Sequence, residues 1–118
     1  MKAVNPIALM LEVFEERYPD SDCLVVFADA EEAGGEKGCG LTLFPDDGSR
    51  PRVVVDVSIP FFATLEILAH ELSHVVCGEK EDHGPEWEAT MKHLYDLWSA
   101  KFLQAMDEAG LSREVAEE

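Results

Sequence analysis

The segment His70-Glu71-Leu72-Ser73-His74 sits inside a run, 60–77, whose apolar residues recur at helical spacing. No other feature constrains the chain so tightly. Leu68, Leu72, Val75 and Val76 share one helical face that must be covered, while both histidines turn toward the other side. Ser58 as cap and Pro60 in the first turn are expected to open the helix, and Gly78 to end it. Residues four apart on an α-helix are separated by about 400°, so the two imidazoles project from one face about 6 Å apart. Both can then donate a ring nitrogen to one zinc ion at about 2.0–2.1 Å. Glu71, rotated by about 100° from His70, reaches a metal-bound water without ligating the metal itself. Zinc lowers the pKa of such a water toward about 7, and a neighbouring carboxylate takes the proton as hydroxide attacks a carbonyl.

A pair of histidines leaves a third ligand to be found. The helix carries the chain about 4.5 Å past His74, and the six steps from Cys77 to His83 can span up to about 20 Å. His83 stands before Gly84-Pro85, at the expected start of the last helix, where a ligand can be held rigidly. It is the expected third ligand, with solvent at the fourth position. The spacing HExxHxxGxxH fails, because Lys80 occupies the position of its last histidine. A glutamate ligand from the last helix would be Glu86 or Glu88, which could instead orient a ligand imidazole. An acidic first turn favoured by the helix dipole is the expected role of both. His93 lies about 10 Å further along that helix than Glu86 and is read as a flanking residue. Tyr95 could stabilise an oxyanion, but its place on an apolar stripe assigns it to the core.

The rest of the 118 residues supplies a scaffold of single-domain size, expected over 1–110 with an acidic flexible tail at 111–118. Asn5 caps and Pro6 opens a first helix ending near Tyr18, and strands are expected at 23–28, 39–44 and 52–58. The turn PDDGSRP suits an antiparallel hairpin. On the last helix Trp87, Met91, Leu94, Tyr95, Trp98, Phe102 and Met106 form a stripe read as core. The expected fold is therefore α+β: a small three-stranded antiparallel sheet, an N-terminal helix, the HExxH helix and a long C-terminal helix. Cys23, Cys39 and Cys77 form no Cys-x-x-Cys pair and are expected to be small buried hydrophobes in a reducing compartment.

Charge narrows the partners. The formal net charge is −16, spread along both halves rather than gathered in a tail. Such a field repels phosphate backbones and favours cationic partners, so direct nucleic-acid binding is not expected. No run approaches the roughly 18 apolar residues of a membrane span, and the N-terminal stretch lacks the apolar core of a signal peptide. A cytoplasmic location without membrane association is expected.

HELSH followed by HGPEW resembles the SprT-like family of zinc metallopeptidases, whose signature is HExxH, a loop, then His-Gly-Pro-Glu and an aromatic residue. The specific part spans Ile67 to Met91. The resemblance implies zinc held by His70, His74 and His83, Glu71 as general base, and a groove beside the strand preceding the active helix. Some relatives cleave proteins crosslinked to DNA. This sequence shows neither their cysteine zinc ribbon nor a basic extension, so a role on DNA is not expected. The expected substrates are proteins or peptides, with a preference for basic segments suggested by the net charge of −16. Two other functions stay open. One is a non-catalytic zinc-stabilised acidic protein-binding module, favoured if Glu71 is buried or the fourth position blocked. The other is an acidic interaction protein whose histidines are incidental.

Overall fold

The computed structural model describes residues 4–29, 31–32, 36–79 and 83–110. The expected tail at 111–118 and much of the loop between Gly78 and His83 lie outside the described residues. Helix α1 spans Pro6–Arg17, with the Asn5 side chain accepting from the amides of Ile7 and Ala8, as expected for a cap. Strands β1 (Leu24–Ala28), β2 (Gly40–Leu43) and β3 (Arg52–Asp56) follow, then α2 (Phe61–Cys77) and α3 (Pro85–Glu108). The α+β class holds.

The sheet is mixed rather than antiparallel. Its order is β1-β3-β2: β2 and β3 form the expected antiparallel hairpin, but β1 lies parallel to β3. The physical reason lies in β3. Its Val53 and Val55 are fully buried, so the strand gains most from neighbours on both sides and takes the centre. With β3 between them, β1 and β2 run antiparallel to each other while β1 and β3 are parallel.

Asp56 holds the connection from β1 to β2. Its side chain, 0% exposed, accepts from the Gly38 amide at 2.7 Å, the Ser58 amide at 2.9 Å and the Ser58 hydroxyl at 2.7 Å. Ser58 is thereby taken up by Asp56 and does not cap α2, which begins at Phe61 with Pro60 as its N-cap. The carbonyl of Asp56 accepts from the buried Thr64 hydroxyl at 2.8 Å, fastening strand to helix. Replacing Asp56 with alanine strands two backbone N–H groups, and we expect it to cost at least about 2 kcal/mol. An unchanged urea midpoint in that variant would show that the connection is held by something else.

Helix α2 packs on the sheet against β2 and β3, and α3 packs on α2 and α1. Leu65, Leu68 and Leu72 of α2 join Met10, Val13 and Phe14 of α1, Leu94 of α3 and the two β3 valines in one core. Val75 and Val76 lie on the same side, so the covered face of α2 is the one its periodicity marks. The stripe on α3 is core only in its middle, where Met91, Leu94, Tyr95 and Trp98 pack. Trp87 is used elsewhere.

Candidate metal centre

Helix α2 turns His70 and His74 to the side opposite its core residues, as a separation of four residues requires. Their Nε2 atoms are 3.3 Å apart. Gly78, at φ 89, ends the helix with its amide on the His74 carbonyl, freeing the chain to turn back. His83, at φ 52, is the only non-glycine residue with positive φ among those described. This turn brings its Nε2 to 3.1 Å from that of His70 and 2.9 Å from that of His74. Nitrogens bound at about 2.0–2.1 Å around a tetrahedral ion stand about 3.3 Å apart. The His70–His74 pair already has this spacing, and His83 lies a few tenths of an ångström inside it. The three imidazoles are therefore close enough to hold one metal ion.

Burial lowers the His70 pKa, and the charges on His74 and His83 push it further down, a shift that favours the neutral form in which imidazole binds metal. Glu71 shifts the other way. It is 6% exposed, and burial raises its pKa against the opposing Thr42 hydroxyl and His83 charge. Its Oε2 is buried without any hydrogen-bond partner. The side chain nonetheless borders two clefts, one of about 420 Å³ toward Gly38 and one of about 540 Å³ toward Phe44. Both run between α2 and β2, the strand at the sheet edge. The resemblance implies a groove beside the strand that precedes this helix. That strand, β3, is flanked on both sides, and the cleft belongs to β2.

Gly40 is what lets β2 come so close. A Cβ there would stand 2.5 Å from the Ile67 Cγ2 and 2.6 Å from the Glu71 Cγ. Gly40→Ala is expected to lower stability by about 1–3 kcal/mol, read from urea unfolding, because the helix or the strand must move. Wild-type stability would mean that the Glu71 side chain swings aside freely.

Trp87 covers the cluster. Its ring centroid is 4.7 Å from those of His70 and His83 and 5.7 Å from that of His74, and its indole N–H donates to the His70 carbonyl at 3.3 Å. The stripe periodicity assigned this residue to the core. The overlooked signal was its position four residues after His83, across the turn that opens α3. No family model, curated protein or solved structure matches the chain. The site is read from its own chemistry.

The remaining candidates fall outside the cluster. Glu86 and Glu88 are exposed in the first turn of α3, and the group close enough to hold a metal among the described residues contains neither them nor His93. Tyr95 packs against the core, its phenol pushed up to about 12 by burial and the Glu66 charge. The cysteines are free thiols, but Cys39 is exposed and lines the smaller cleft, contrary to the buried role expected for all three.

Proposed function

We propose that the chain is a zinc metallopeptidase of the SprT-like kind, an endopeptidase whose metal is held by His70, His74 and His83 and whose general base is Glu71. One observation carries this reading: three imidazole Nε2 atoms converge at 2.9–3.3 Å beside a buried carboxylate oxygen that has no partner. Three imidazole nitrogen donors would suit zinc, and the orphaned oxygen suits a polar ligand such as water. When bound, zinc supplies Lewis-acid polarisation of a carbonyl and lowers the pKa of water.

The chain's own residues account for the rest. Glu71 takes a proton from the attacking water on its carboxylate and returns it to the departing amine, a role that its raised pKa favours. Strand β2, at the sheet edge beside both clefts, offers unpaired backbone groups to an extended peptide. Trp87 holds the three rings in place from above. Among the described residues no helix is long and apolar enough to cross a membrane.

The second reading, a non-catalytic zinc module, draws support from the burial of Glu71. Against it stands the position of that side chain between two open clefts rather than within packed core. The test is metal content and proteolysis of the untagged chain. About one zinc per chain is expected, with cleavage of an unfolded protein substrate lost on chelation and restored by zinc. Absence of zinc after reconstitution overturns the reading.

A further inference from the structure

The smaller of the two clefts carries information about the substrate. It opens beside His70 and Glu71, with Gly38 and Gly40 on one side and Ala63, Glu66 and Ile67 on the other. Glu66 lies one helical turn before His70, so its carboxylate stands on the same face of α2 as the metal ligand. Among the described residues no lysine or arginine lines this cleft or forms an ion pair with Glu66. We infer that the cleft is the subsite for a lysine or arginine side chain of the substrate, and that Glu66 is the residue that selects it. The inference deepens the metallopeptidase reading and rests on it.

Three observations converge. The volume, about 420 Å³, lies in the range that ligand sites occupy and admits one long side chain with its adjoining backbone. The walls match the two parts of a basic side chain, since Ala63 and Ile67 can cover the aliphatic stem while Glu66 meets the charged head. The Glu71 side chain, whose Oε2 is buried and unpartnered, lines this cleft as it does the larger one, so the subsite opens directly beside the proposed general base. An acidic side chain here would face both Glu66 and Glu71, and a neutral one would leave Glu66 without a counterion. The net charge of −16 adds attraction at longer range but does not choose the position.

The test uses the zinc-loaded full chain and peptides that differ at one position, carrying lysine, norleucine or glutamate there. Cleavage is mapped by mass spectrometry, and binding of the matching peptide hydroxamates is followed by calorimetry. The expected result is at least about tenfold preference for lysine over norleucine, near the worth of one partly desolvated ion pair. Glu66→Gln should abolish the preference and Glu66→Lys should turn it toward glutamate, with thermal melts confirming that both variants fold. A preference that survives in Glu66→Gln, or none in the wild type, overturns the subsite while leaving the peptidase standing. Hydroxamates that bind with a Glu66-dependent lysine preference but are accompanied by no hydrolysis support the subsite and overturn the peptidase. A chain that binds neither zinc nor hydroxamate overturns both.

Discussion

Replacing His83 with alanine is expected to weaken zinc binding by at least about 100-fold while leaving the metal-free fold as stable as the wild type. Loss of a group that merely orients a ligand already costs about 10–100-fold, and His83 is placed to be a ligand. The two helical histidines would remain at 3.3 Å, but two imidazoles alone do not make a closed zinc site. The fold should not notice, because His83 is exposed and its ring lies against His70, His74 and Trp87, none of them a core residue. Alanine inherits the same unfavourable backbone conformation at φ 52, so that cost, about 1 kcal/mol, cancels in the comparison. The measurement is the zinc-dependent rise in melting temperature beside metal content. If zinc stabilises the variant as it does the wild type, the third ligand has been misassigned.

Glu71→Gln is the second large effect, and its signature is a contrast. Hydrolysis should fall by about 10²–10⁴-fold, the usual contribution of a positioned general base, while zinc binding persists. Stability should stay level or rise, because the variant replaces a buried carboxylate whose Oε2 has no partner with a neutral amide of the same shape. Gain of stability with loss of activity is what a buried group kept for chemistry predicts. If instead the variant melts well below the wild type and hydrolyses substrate just as fast, Glu71 is a structural residue and the general base lies elsewhere.

Helices were the most legible part of the chain, because their signals are local. Asn5-Pro6, Gly78 and Gly84-Pro85 mark ends within a residue or two, and the 3.6-residue period separates the core face of α2 from its histidine face. The hairpin of β2 and β3 was legible for a similar reason, since its turn residues are contiguous. The position of β1 was not. Nothing in CLVVFA distinguishes a strand that pairs with its successor from one that pairs with the strand after it. That choice rests on the burial of β3 and on Asp56 reaching the Gly38 amide, contacts that link residues eighteen apart.

The candidate site divides along the same line. By itself the sequence determined that His70, Glu71 and His74 share a helical neighbourhood, because a helix converts spacing into direction without help from the rest of the chain. It also limited His83 to within reach of them, since chain length bounds distance. Only the tertiary structure decided that the three nitrogens meet, that Trp87 leaves the core stripe to cover them, and that Gly40 admits the Glu71 side chain against β2. Each of these depends on how two elements pack. Packing is fixed by the fit of surfaces remote in sequence, which no local pattern encodes.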